Sequence, residues 1–366
     1  MSVSRLSSIG TLLLLAACDQ ILNLQPRDDE PRDAPGGDAL DASDLVCHGT
    51  GLLEVCLAPP TIGTLTLAGN VDTTVGNGCI AVPQPGGLEL CVRHAETIEI
   101  NDGIRVTGSR PLVLVATRTI TITSMLDVSS TNLGRVGAGA ADDCVSGDDG
   151  ANGTSNAAGG AGGSFAFQGG GGGTTSSVSG GAPGPELLLV TAIGGCPGGR
   201  GGTAGAGTNA RGGAGGGAVY LIASSRIVVT ATGSINASGA GGQGGAAVNH
   251  GAGGGGAGGL IGLDAPMVEI VGTATARGGG GGGGGGTGAG ENGGDVTGPF
   301  GPVRGGAAPS GGSFGGDGCG RGIGGQPGPT TNRGAGGGGG GCGFIRIYGE
   351  RVISGTTNPL PTPALP

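Results

Sequence analysis

The sequence predicts an all-β protein: a parallel β-solenoid, β-helix-like, that carries long glycine-rich insertions. Short apolar, β-branched segments recur, and Leu65, Leu88 and Leu112 mark a spacing of roughly 23 residues, which is in the range of repeat architectures. Each segment is strand length, and none extends into the longer i, i+3, i+4 pattern of a helix. Most of the 96 glycines fall in runs that leave this pattern after the third segment of a copy. Aliphatic side chains fill the segments, while Trp is absent and Phe and Tyr number only 5 and 2. That composition suits a narrow core closed by stacked layers.

A loose first copy begins at 65–67, and 88–92, 98–100 and 104–106 form the next without an insertion. The clearest copy has three segments, 112–115, 120–123 and 126–128. Two more follow at 219–222, 227–230 and 235–237, and at 260–263, 268–271 and 274–276; a truncated copy closes at 344–348 and 352–353. This divides the folded part into 47–133, with no long insertion, and 134–358, where segments alternate with glycine. A Pro-rich tail, 359–366, ends the chain. The competing architecture for the same pattern is a β-sandwich with glycine loops.

Glycine occupies roughly 134–183, 194–217, 239–259 and 278–343, and an apolar piece at 186–193 reads as a strand returning to the stack. Fixing glycine in a regular element costs roughly 0.5 to 1 kcal/mol more than fixing alanine, so isolated runs of this length would stay unordered. Order requires runs packed side by side as threefold, polyglycine II helices that bond to one another. The triplets in 198–203 and 241–246 have that period. Collagen is excluded, because no Gly-X-Y register with Pro is sustained.

At the N-terminus, Arg5 precedes an apolar stretch, 6–15, that ends in Leu15-Ala16-Ala17-Cys18. The stretch is too short to span a bilayer. The four closing residues match the lipobox, and this region resembles the bacterial lipoprotein signal. The resemblance implies cleavage after residue 17, acylation of Cys18 and a membrane anchor, with 18–46 as a lipidated acidic tether too poor in apolar residues to fold. It points to the cell envelope, with the outer membrane or cell surface as the expected destination. Asp19 resembles an inner-membrane retention signal of enteric bacteria and leaves that membrane as the alternative.

Eight cysteines remain after Cys18: Cys47, Cys56, Cys79, Cys91, Cys144, Cys196, Cys319 and Cys342. An even count in an exported chain predicts disulfides. Sequential pairing is the physically sensible arrangement, because 144 with 196 and 319 with 342 would clamp the feet of glycine excursions. The cysteines have no C-x-x-C spacing and His48, His94 and His250 are scattered, so they give no basis for a transition-metal site.

Glycine produces motif matches by chance. The G-x-S-x-G match at 311–315 lacks a following helix and a downstream histidine, and a Walker A loop is excluded because all 17 basic residues are Arg. Asp148, Asp149 and Asn152, near Asp142 and Asp143, are the calcium candidate, although Gly150 falls where the loop pattern needs an oxygen ligand. Glu89, Glu99, Asp102, Asp127 and Glu269 are the carboxylates from which a polysaccharide-cleaving solenoid would draw its acids. Phe165, Phe167, Phe300 and Phe314 lie in the excursions, as anchors or sugar platforms. Thr119, Thr121 and Thr123 make an outward row on one segment. A net charge of -9 and the lack of a basic block argue against nucleic acid as a partner.

Taken whole, the chain resembles the glycine-rich lipoproteins of myxobacterial type, on the strength of the lipobox, the acidic tether and segments such as 218–223. Its glycine tracts resemble, in composition only, those of mycobacterial PE-PGRS proteins. Neither resemblance implies a catalytic residue or a cofactor. The expected role is a non-enzymatic envelope lipoprotein that is structural, adhesive or matrix-interacting, with envelope polysaccharide or surface proteins as partners. The alternative is a β-helix carbohydrate-active enzyme or polysaccharide-binding protein.

Overall fold

The structure is a computed structural model that describes residues 45–74, 78–132, 134–141, 144, 147–298, 300–301, 303–320, 328–329 and 331–362. The signal, Cys18 and nearly all of the tether lie outside these residues, as do Asp142 and Asp143. Among the described residues there is no helix, and hence none long and apolar enough to cross a membrane.

The chain alternates between two sheets. It begins with an antiparallel hairpin, β1 (Val46–His48) and β2 (Val55–Leu57), closed by the Cys47–Cys56 disulfide. β3 (Thr64–Thr66) then enters the first sheet and β4 (Gly69–Asp72) the second. β5 (Ile80–Val82) pairs antiparallel with β6 (Leu90–Ile100), which leads to β7 (Ile104–Thr107). β8 (Leu112–Ile122) and β9 (Met125–Asp127) follow, then β10 (Ala218–Ala223), β11 (Arg226–Val229) and β12 (Ser234–Asn236). β13 (Leu260–Ile270), β14 (Thr273–Thr275), β15 (Phe344–Ile353) and β16 (Thr356–Asn358) complete the order. The first sheet stacks β3, β6, β8, β10 with β11, β13 and β15; the second stacks β4, β7, β9, β12, β14 and β16. Apart from β5, every neighbour in both is parallel. Stretches 47–133 and 134–358 therefore contribute strands to the same two sheets.

The three segments per copy become two strands in most copies. In β6, β8 and β13 the first two segments join into one strand of 11 residues. Only β10 and β11 stay separate, and they occupy successive stretches between β8 and β13. The ring of pairings β8, β10, β13, β11 thus encloses no interior: it is one split strand between two whole ones.

Burial explains the residue pattern. In β8 the first five residues, Leu112 to Ala116, are buried on both faces, whereas the remainder alternates. The inward side chains lie in register, as in Ile98, Ile120, Ile227 and Val268, and pack between the sheets. The other face of the first half is covered by Leu53, Val55 and Leu57 of the hairpin region and by Phe165 and Ala192 from the excursions. A doubly buried strand reads as a continuous apolar run, and a singly buried one alternates. Each fully buried aliphatic side chain contributes roughly 1.5 to 3 kcal/mol.

The 186–193 piece is not a strand. It runs extended over the outer face of the first sheet, bonded through the Leu187 amide to the Phe165 carbonyl and through Ala192 to the Gln84 side chain. Its exposure alternates: Leu187 and Leu189 pack on that face while Leu188 and Val190 are exposed.

The glycine runs pack side by side. Along 251–259, amides 251, 254 and 257 donate to carbonyls of Gly202, Gly199 and Cys196; 252, 255 and 258 donate to Ala335, Gly338 and Gly341; 253, 256 and 259 donate to Gln243, Ala240 and Ala237. Carbonyls of the same run accept from three further stretches, through the amides of Gly160 and Gly163, Gly213 and Gly216, and Gly279 and Gly282. One run thus has six neighbours, and each is met once every third residue. Here glycine is required for space rather than for a left-handed backbone, since neither Gly337 nor Gly282 has positive φ. A Cβ on Gly337 would fall on the Gly253 carbonyl, and one on Gly282 on the Gln243 carbonyl.

The four disulfides pair in sequence order: 47 with 56, 79 with 91, 144 with 196 and 319 with 342. The last two have Cα separations of 5.5 and 5.4 Å and tie together the feet of glycine excursions.

Candidate functional site

A polar groove follows the outer face of the second sheet and continues onto the flank of the glycine runs. The first stretch, about 340 Å³, has outward residues of β7, β9, β12 and β14 as its floor and 296–298 as part of its wall. The second, about 620 Å³, lies between the turn after β9 and runs 208–214 and 240–243. The stretches meet at Thr131 and Arg135.

Its centre is Asp127, the outward residue of β9, which is only 3% exposed. Oδ1 accepts the Ser129 amide and hydroxyl at 3.0 and 2.6 Å. Oδ2 takes Arg105, from the adjacent position on β7, at 3.1 Å and Arg135 at 3.4 Å. A buried carboxylate needs such partners, and here it also fixes the direction of two guanidinium groups. Across the sheet the same register row continues through Asn236, Thr275 and Asn358, and the parallel row carries Ser234, Thr273 and Thr356.

Carboxyl and amide side chains at the edges of the glycine runs have a shared task. Asp149 and Asn152, three apart, accept the amides of Arg200 and Thr203, also three apart. Asn292 and Asp295 do the same for Gly244 and Gly241. Each replaces the carbonyl that a further neighbouring run would have supplied. Burial pushes the Asp295 carboxyl above the usual carboxylate range, opposed by the amides of Gly241 and Asn132 and by Arg135. The calcium candidates Asp149 and Asn152 are thus engaged as caps, and Asp148 is exposed beside them. Among the described residues no group of three or more His, Cys, Asp or Glu is placed to hold a metal.

Three of the carboxylates singled out in the sequence have separate partners. Glu89 pairs with Arg110, Glu99 accepts from Asn101, and Asp127 is held by arginines. Glu99 and Glu269 share a row, but Thr121 and Val228 stand between them. Three strand spacings amount to about 14 Å, wider than the ~5 to 9.5 Å of paired glycosidase acids. Phe165 is an anchor, edge-on to Phe344 at 4.9 Å, whereas Phe300 and Phe314 are exposed. Thr119 aligns with Thr97 and Thr64, but Arg226 and Met267 break the row on the next strands.

His48 of β1 and His94 of β6 converge, with ring centroids 5.4 Å apart and each Nε2 buried without a hydrogen-bond partner among the described residues. Burial lowers both pKa values, and for His94 the neighbouring His48 adds to the effect.

Arg105, Arg135 and Arg211 line the groove and went unmarked in the sequence. For Arg105 the signal was its spacing from Asp127, 22 residues and one copy apart. Comparison with protein-family models, curated proteins and solved structures finds no significant match for this chain.

Proposed function

We propose that this is a lipid-anchored cell-envelope protein with a non-enzymatic structural, adhesive or matrix-interaction role, its body a parallel β-solenoid and its glycine runs a polyglycine II bundle. The six-neighbour bonding of run 251–259 carries the reading. Through it, stretches that would otherwise behave as flexible linker become a stiff block joined to the sheets, a form suited to bearing load or presenting a surface. The four disulfides suit an exported chain. The lipobox at Leu15 to Cys18 supports acylation and anchoring in the outer membrane or at the cell surface.

Protease shaving of intact cells tests the surface role, combined with fractionation of a Cys18→Ser variant. The expected outcome is loss of the wild-type protein from shaved cells and release of the variant from the membrane fraction. Complete protection in intact cells would remove the adhesive reading, and unchanged membrane association of the variant would remove the lipid anchor.

A further inference from the structure

We propose that the polar groove binds an acidic polysaccharide and recognises uronate carboxylates through Arg105, Arg135 and Arg211. The inference rests on the matrix-interaction reading and names its ligand class. Arg105 directs Nε and one terminal nitrogen to Asp127 Oδ2, at 3.3 and 3.1 Å. Arg135 uses Nε and one terminal nitrogen on Ser129 and Asp127. The other terminal nitrogen of each, and the whole Arg211 guanidinium, have no partner among the described residues. Three cationic edges thus line one groove of a chain whose net charge is -9.

Three of the five carboxamides that line the groove are biased in the same direction: Asn236 accepts the Ser238 amide, and Gln243 and Asn292 behave alike, whereas Asn132 and Asn209 give their NH₂ groups to the Gly293 and Gly201 carbonyls. Gln243 accepts the Arg211 amide through its side-chain oxygen at 2.9 Å, and Asn292 accepts the Gly244 amide at 3.0 Å. With each oxygen engaged, the NH₂ groups are what these side chains offer a ligand. With three guanidinium edges beside these carboxamides, the groove's charged donors complement an anionic, acceptor-rich polymer. Planar guanidinium groups match carboxylates in two-point contact. The hydroxyl row Ser234, Thr273 and Thr356 repeats at the strand spacing of about 4.8 Å, near the advance of one sugar unit. That row favours a sugar polymer over a nucleic acid, as does the overall negative charge.

The test uses the full-length lipoprotein in detergent, titrated with polygalacturonate and with alginate, with dextran as the neutral polymer and duplex DNA as competitor. Variants are Arg211→Gln, the double Arg105→Gln/Arg211→Gln, and Arg118→Gln on the first sheet as control, each checked by thermal melting. Expected are salt-sensitive uronate binding, about tenfold weaker in the double variant, intact in the control, with no dextran binding and no displacement by DNA. The Arg211 side chain makes no bond among the described residues, so its single variant keeps the test informative if the double variant melts early. Equal uronate affinity in wild type and the Arg211→Gln variant would overturn the assignment, as would equal displacement by DNA. Binding of dextran but not uronate would overturn this inference and leave the matrix role standing, whereas the shaving experiment decides that role separately.

Discussion

Asp264 of β13 binds Thr50, 214 residues earlier, through both the amide at 2.7 Å and the hydroxyl at 2.9 Å. The same carboxylate accepts the Gly51 amide, and Tyr220 accepts that of Leu52, so the segment joining β1 to β2 is pinned to the first sheet by buried acceptors. Asp264→Ala should cost about 2 to 3 kcal/mol, since it strips charge-assisted bonds from part-buried amides. Urea denaturation measures the loss, and faster proteolysis near residue 50 would locate it in this segment.

The glycine block makes a sharp steric prediction. Gly337→Ala and Gly282→Ala place a methyl group on a neighbouring carbonyl and should destabilise by more than about 3 kcal/mol or abolish folding. Gly63→Ala, with open space around it, should change stability by less than about 0.5 kcal/mol. Hydrogen exchange adds an independent check: amides of 251–259 should exchange as slowly as those of β8.

Acid should loosen the hairpin. His48 and His94 are buried with pKa values below their ordinary 6.5, so the unfolded chain binds more protons than the folded one at mildly acidic pH. Stability rises with pH wherever the unfolded state holds more protons. The contribution is therefore complete above about pH 6.5 and is lost as pH falls through the lowered values. His94→Gln should flatten the dependence in that window, as read from melting temperature against pH.

The two excursion disulfides should differ in weight. Cys144–Cys196 closes 52 residues and Cys319–Cys342 closes 23, for which loop closure gives about 4 and about 3 kcal/mol. Paired Cys→Ser variants compared by urea midpoint should rank in that order. An equal or reversed ranking would show that local bonds, such as the Gly278 amide on Cys319 sulfur, outweigh chain entropy.

Much of the body was legible because parallel strands in register repeat their inward residues. Ile120, Ile227 and Val268 could be aligned from the sequence alone, and sequential pairing of the cysteines, favoured because 144 with 196 and 319 with 342 would clamp glycine excursions, is the arrangement observed. The segments of β8 read as separate strands because burial changes from two faces to one near Ala116. The apolar piece at 186–193 reads as a strand, but packing on the outside of a sheet calls for the same apolar residues as pairing within one. The groove was illegible for a different reason. Arg105, Arg135 and Arg211 come from a strand, a turn and a glycine run, and only the packing of the runs brings the third beside the other two.

The six-neighbour bonding also restricts how this protein can change length. Adding three residues to a run extends it by one turn and returns every amide to the neighbour it faced before. Adding one or two rotates the rest of the run and aims its donors at the wrong partners. Viable insertions and deletions within the packed runs should therefore come in triplets, a reading frame written in hydrogen bonds rather than in codons.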